Sequence, residues 1–202
     1  MRAFPLVTGA LVAGALVGVC LAQAEVVLET VPVGNPGNPG EQARLANSDA
    51  TFYGGVDYAF AMGKFEVTAG QYAEFLNAVA ATDTNQLYNP RMDHDANPGD
   101  NGCNIQRLGT SGSFTYSVAP DWANRPVNYV SWADAVRFAN WLHNGQPAGS
   151  QDLTTTEDGS YFIDGRYEGR VLDDVVREPD ASWVIPTDAS SRPSTCAATS
   201  AG

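Results

Sequence analysis

Residues 124–145, with the sequence NRPVNYVSWADAVRFANWLHNG, constrain the fold of this chain more than any other stretch. Residues 127–130 follow a proline and predict a short strand. Ser131 and Asp134 then have the spacing of a helix N-cap, and Gly145 predicts a left-handed residue at the helix C-terminus. The helix between them carries an apolar stripe with a 3.6-residue period, formed by Ala135, Phe138, Ala139 and Leu142. One face of this helix is therefore predicted to be buried.

A second amphipathic helix is predicted directly after residue 68. Thr68 and Gln71 fit a capping box, in which each side chain accepts a hydrogen bond from the other residue's backbone N–H. Its apolar stripe has the spacing i, i+3, i+4 and i+7 and consists of Tyr72, Phe75, Leu76 and Val79. This face is also predicted to pack on a core.

Short strands are predicted around the two helices, at residues 26–28, 31–33, 56–67, 113–118, 161–163 and 183–185. The sequence GNPGNPG at residues 34–40 predicts consecutive turns, and Asp164 followed by Gly165 predicts a two-residue hairpin turn. Residues 82–112 have no sustained period and are predicted to form a long irregular excursion. Two helices among short strands in irregular order predict an α+β fold.

The first 24 residues have the pattern of a secretory signal peptide. Arg2 precedes an apolar run over residues 6–22, and Ala22-Gln23-Ala24 is a small-x-small cleavage pattern. We therefore expect a secreted or periplasmic protein whose mature chain begins at Glu25. The alternative is a segment that stays uncleaved and anchors the protein in the membrane, although three glycines interrupt this short run.

The charge of the chain excludes one large class of partners. The 202 residues have a formal net charge of −12 and a sequence pI of about 4.3. Such a chain repels phosphate backbones instead of releasing their counterions, so nucleic-acid binding is not expected. The acidic residues are scattered without a block of like charge, which is typical of a solvated surface.

Three segments of the chain resemble one known family. They are YAFAMGKFEVTAGQYAEFLNAVA at residues 58–80, the segment at residues 124–145, and SWVIPT at residues 182–187. In this order they resemble the sulfatase-modifying-factor family, also called formylglycine-generating-enzyme-like. The resemblance covers roughly residues 50–187 and implies a C-type-lectin-like fold with little regular secondary structure.

The resemblance also implies a domain that is incomplete. In the family, a segment like that at residues 185–187 leads into an acidic, tryptophan-containing helix and the second half of the domain. Here the chain continues DASSRPSTCAATSAG. We therefore expect a partial domain over residues 25–187, cut short after Thr187, and a disordered tail over residues 188–202, because the tail is too polar to bury surface.

The resemblance implies copper chemistry only for members with two closely spaced cysteines. Those enzymes oxidise a sulfatase cysteine to formylglycine with oxygen, and two thiolates suit Cu(I). This chain has only Cys20, Cys103 and Cys196, and whether the last two pair is left open by the sequence. We therefore predict no catalytic, cofactor-binding or metal-binding residues and no oxidase activity. The alternatives are a formylglycine-generating oxidase and a lectin-like extracellular module that binds an exported protein or a glycan.

Residues 91–102 place four oxygen-bearing side chains within eight positions, namely Asp93, Asp95, Asn97 and Asp100. Alternating oxygen ligands are typical of a calcium loop. However, Pro98 stands where the sharp-turn glycine would be, and Asn104 stands where a bidentate glutamate would be. An Asx-rich turn is therefore the preferred interpretation over a calcium site.

The two histidines offer little for catalysis. A metal-binding role for His94 has weaker support than the calcium loop itself. His143 lies in the last turn of its helix, where the helix dipole favours an imidazolium, so a structural role is preferred. Ser131 lies at the opposite end of that helix, on the order of 18 Å away, and cannot pair with His143.

Several aromatic side chains could line a carbohydrate or peptide cleft, namely Trp122, Tyr129, Trp132 and Trp141. Rigid amphipathic rings are common in recognition sites. Core packing is the alternative, and it is preferred for Trp132 and Trp141 because they lie on a helix that needs burial.

Overall fold

The computed structural model describes residues 25–37, 39, 41–42, 52–53, 55–166 and 174–186. The signal peptide predicted at residues 1–24 and the disordered tail predicted at residues 188–202 lie outside this part of the chain. The described elements are β1 (Thr30–Val33), β2 (Glu41–Gln42), β3 (Phe52–Tyr53), β4 (Phe60–Gly63), α1 (Ala69–Val79), a 3-10 turn (Pro90–Met92), β5 (Ile105–Leu108), β6 (Thr115–Val118) and α2 (Trp132–His143). This mixture is an α+β arrangement.

Both helices begin at the predicted N-caps, and each cap is a capping box. At α1, Thr68 Oγ1 accepts from the Gln71 backbone N–H over 3.2 Å, and the Thr68 N–H donates to Gln71 Oε1 over 2.9 Å. At α2, Ser131 and Asp134 make the same reciprocal pair over 3.2 and 2.9 Å. Gly145 has φ +79° just after α2, as its predicted left-handed role requires.

The strands pair as three separate antiparallel ribbons, β1 with β4, β2 with β3, and β5 with β6. In the first ribbon, Thr30 lies opposite Gly63 and Val33 lies opposite Phe60. In the last, Ile105 lies opposite Val118. Residues 82–112, predicted to be an irregular excursion, therefore contain one strand, β5. Its pairing with β6 stabilises this strand, and the local sequence alone does not indicate it.

Some predicted strands do not form. Residues 127–130 form no strand ladder; the contacts here are an isolated bridge between Thr68 and Pro126 and a bond from the Val127 N–H to the Val67 carbonyl. Tyr129 has φ +57°, which an extended strand cannot accommodate. Residues 26–28, 161–163 and 183–185 are likewise outside regular strands. The predicted turn at Asp164 is present, with positive φ there and at the following glycine.

The main core lies between α1, α2 and β6. Phe75 of α1 packs with ring centroids 5.3 Å from Phe138 and 5.2 Å from Trp141. Asn77 joins α1 to β6, because its side chain both donates to and accepts from the backbone of Tyr116. The predicted apolar stripe of α1 is thus buried between α2 and β6. Among the described residues, no helix is both long and apolar enough to span a membrane.

A smaller core lies on the other side of α2. Its buried apolar residues are Ala133, Val136, Ala139, Tyr161 and Ile163, and half-buried residues of segment 183–185 pack against them. The two cores share helix α2, which thereby positions the segment at residues 183–185 beside the main core.

Candidate functional site

A groove of about 1290 Å³ opens between several elements of the described part of the protein. Its walls are the β1–β4 ribbon, the start of α1, one side of α2 and residues 182–186. Apolar side chains from these different elements meet in it, among them Leu28, Phe60, Val67, Phe138, Leu142 and Val184. We call this cavity the groove.

Large apolar side chains remain exposed at the groove. Val27 is 74% exposed, Phe65 is 69% exposed and Met62 is 39% exposed, and all three line the groove. Single exposed apolar residues are ordinary, but a contiguous set beside a concave apolar surface marks an interaction site. The groove is therefore the candidate functional site.

The charged residues that line the groove are both acidic, Glu29 and Glu66. Glu29 is paired with Lys64 over 2.6 Å, and both side chains are largely exposed. Glu66 is exposed as well. The groove thus combines an apolar surface with acidic residues.

The polar groups of the groove are already engaged in structure. Thr68 and Gln71 form the cap of α1, and the Tyr72 hydroxyl donates to the Leu87 carbonyl over 3.0 Å. Burial, reinforced by nearby carboxylates, raises the pKa of Tyr72 well above its usual value, so this phenol keeps its proton. These groups suit a binding surface better than acid–base chemistry.

His143 and Ser182 meet at the edge of the groove, a contact that the sequence did not predict. Ser182 Oγ lies 2.8 Å from His143 Nδ1, and the Ser182 backbone N–H donates to the same nitrogen over 3.2 Å. Because a backbone N–H can only donate, Nδ1 is the acceptor in this contact. His143 is in the last turn of α2 as predicted, and its contact with Ser182 agrees with the structural role preferred for it.

Ser131 lies at the N-cap of α2 and His143 in its last turn, so the prediction that they cannot pair is confirmed. His143 instead borders a second cavity, of about 480 Å³, which is also lined by Asp158, Glu178 and Asp180. The other histidine, His94, stacks on the Trp122 ring with centroids 4.9 Å apart.

The acidic residues considered for calcium are engaged in local bonds. Asp93 Oδ1 accepts from the Ala96 N–H over 2.9 Å, Asp95 accepts from Gln106 over 3.1 Å, and Asp100 lies 3.5 Å from Arg91. The Asn97 amide donates to the Pro90 carbonyl over 3.1 Å. Within the described ranges, no three His, Cys, Asp or Glu side chains are grouped as a metal site would require. The geometry is that of an Asx-rich turn.

The four aromatic residues considered for a cleft do not converge on the groove. Trp141 is 1% exposed and its indole N–H donates to the Pro147 carbonyl, so its predicted core role is confirmed. Trp132 is 41% exposed, so the core role predicted for it is wrong. It is the first residue of α2 and precedes the buried stripe. The Trp122 ring is covered by His94 and by Arg125, whose guanidinium carbon lies 4.0 Å from the ring centroid.

Tyr129 is also engaged, because its hydroxyl donates to the Asp100 carbonyl. Cys103 carries a free thiol and is only 3% exposed. Cys196 lies outside the described residues, so its pairing with Cys103 stays open. A two-thiolate copper site does not fit the described residues, since their only cysteine is this buried one.

Residues 39–199 match the Sulfatase-modifying factor enzyme 1-like domain. The chain belongs to this family. The match includes all three segments that carried the resemblance, and it continues past Thr187, where the resemblance ended. Comparison with curated proteins and with solved structures gave no match. The family match places α1, α2 and most of the groove within one family domain.

Proposed function

We propose that this member of the sulfatase-modifying factor family is an exported binding module of C-type-lectin-like fold, without cysteine-oxidase activity. Its groove binds an extended apolar segment of another exported protein. The observation that carries this proposal is the groove itself, where exposed Val27, Met62 and Phe65 adjoin a concave apolar surface.

The size and lining of the groove support a peptide over a small molecule. Ligand pockets for drug-sized compounds have volumes of about 300–1,000 Å³. The groove is larger, at about 1290 Å³, and partly open at the exposed side chains of the β1–β4 ribbon. An extended segment would cover these side chains and remove their apolar area from water. The burial of apolar area is favourable by about 25 cal/mol per Å².

The acidic charge of the groove favours apolar segments that carry basic residues. Glu29 is paired with Lys64 over 2.6 Å, so Glu66 supplies the negative charge of the lining. A partner segment with a lysine or arginine beside its apolar residues would complement this field, and an acidic segment would be repelled. We therefore propose an apolar segment flanked by basic residues.

The state of the aromatic residues and of the cysteine supports this assignment over the two alternatives. Of the tryptophans considered for a glycan cleft, Trp141 is buried, Trp122 is covered by other side chains, and the exposed Trp132 does not line the groove. An oxidase of the family type would need two accessible thiolates, whereas Cys103 is buried.

The binding proposal can be tested with a displayed peptide library selected on the purified mature protein. Enriched peptides should be apolar with basic flanks. Phe65→Ser should weaken their binding about tenfold, because it removes an aromatic contact worth roughly 1.5–3 kcal/mol when fully buried. Leu108→Ser is the matched control, since Leu108 is 62% exposed on β5 and lies outside the groove.

Equal loss of affinity in the Phe65 and Leu108 variants would contradict the groove as the binding site. Enrichment of acidic peptides would contradict the charge assignment.

The lack of oxidase activity has its own assay, in which the protein is incubated with copper, reductant and a cysteine-containing sulfatase peptide. We expect no change in peptide mass, and a loss of mass that matches an aldehyde product would establish the oxidase alternative.

A further inference from the structure

The contact between His143 and Ser182 ties the end of α2 to one wall of the groove. Its chemistry is unusual because two donors of Ser182, the backbone N–H and the hydroxyl, share one acceptor, Nδ1 of the imidazole. The backbone N–H can only donate, so Nδ1 is the acceptor in this geometry and a ring proton is carried on Nε2. Ser182 also begins the groove wall formed by residues 182–186.

We propose that this contact is a pH-dependent clasp, in which protonation of His143 releases residues 182–186 and opens the groove. The inference rests on the binding role proposed for the groove and adds its regulation. An imidazolium carries protons on both ring nitrogens. Nδ1–H would then face the Ser182 N–H, so two donors would oppose each other and the backbone bond would be lost.

The Ser182 hydroxyl does not rescue the clasp. It can rotate and accept from Nδ1–H, so one side-chain bond persists with reversed direction. The backbone N–H has no such freedom, because it cannot act as an acceptor. Protonation therefore acts on the backbone of the wall itself and not only on a side chain.

The groups around His143 are acidic. The titratable groups that share its cavity among the described residues are Asp158, Glu178 and Asp180. His143 also lies in the last turn of α2, where the helix dipole has its negative end.

The wall has few other polar ties in the described structure. The Ala181 N–H donates to the Glu178 carbonyl over 3.2 Å, and the Ile185 N–H donates to the Tyr161 hydroxyl over 3.0 Å. Trp183, Val184 and Ile185 are only half-buried. The loss of one backbone hydrogen bond should therefore raise the opening equilibrium of this segment about fivefold.

Amide hydrogen exchange of the mature protein without ligand tests the clasp. After correction for the intrinsic pH dependence of exchange, the opening of residues 182–186 should rise about fivefold between pH 8 and pH 5, a range that spans histidine titration. His143→Asn should abolish this step, because the amide oxygen still accepts and takes up no proton. His94→Phe should retain it, since a phenyl ring can still stack on Trp122.

A wild-type protein without the step would overturn the clasp, and this comparison does not depend on the folding of any variant. A step of equal size in His143→Asn would overturn it as well. Peptide affinity measured at the same two pH values separates the two proposals. A step in exchange without peptide binding at either pH would reject only the binding role, whereas pH-independent exchange with peptide binding would reject only the clasp.

Discussion

Replacement of Arg137 by methionine should destabilise this protein more than any single surface change. The Arg137 side chain is fully buried on α2 and forms a bidentate ion pair with Glu157, with distances of 2.7 and 2.9 Å. The same guanidinium donates to the Arg166 carbonyl over 2.8 Å. The pair thus joins α2 to the loop that follows it.

The magnitude follows from what remains after the change. Glu157 is 4% exposed, and its carboxylate would keep only neutral donors, from Asn85, Thr156 and the Gly165 backbone. Removing one partner of a buried ion pair costs about 3–5 kcal/mol, because the other charge is left uncompensated. For a domain of this size, that loss corresponds to a fall in Tm of roughly 6–20 °C.

Chemical denaturation of the mature protein, followed by tryptophan fluorescence, measures this loss. Arg91→Met is the matched control, because the Arg91–Asp100 pair is largely exposed and should contribute about 0–1 kcal/mol. The double variant Arg137→Met, Glu157→Gln should be more stable than Arg137→Met alone, since it removes the buried charge. An Arg137→Met protein within 1 kcal/mol of the wild type would refute the reasoning.

Three further predictions concern pH, packing and processing. Burial raises the pKa of Asp134 above its usual 3.8. The stability that this shift contributes is fully present below pH 3.8 and is lost as the pH rises through the higher pKa of the folded state. Asp134→Asn should remove this part of the pH dependence in denaturation curves, and an unchanged profile would contradict the prediction. Gly102→Ala should cost about 1–3 kcal/mol, because a Cβ there would lie 2.1 Å from the Arg91 carbonyl oxygen, whereas Gly99→Ala has open space and should leave the Tm nearly unchanged. The mature chain should begin at Glu25, and an intact mass that includes residues 1–24 would support the membrane-anchor alternative.

The sequence alone determined the features that depend on neighbours three or four positions apart. The capping box at Thr68, the N-cap at Ser131 and the left-handed Gly145 are all present as predicted. These features involve a backbone donor and a side chain within one helical turn, so local sequence is sufficient to specify them. The family was also recognisable from three short segments, and the match over residues 39–199 confirmed it.

The tertiary structure alone decided which distant residues meet. His143 and Ser182 are separated by 39 positions, and the groove assembles side chains from as far apart as Val27 and Val184. The path between such residues runs through irregular loops, whose turns depend on positive φ at non-glycine residues such as Tyr129. Sequence periodicity contains no signal for these turns, because packing and long-range hydrogen bonds select them. For the same reason the exposure of Trp132 at the start of α2 could not be read from its helix alone.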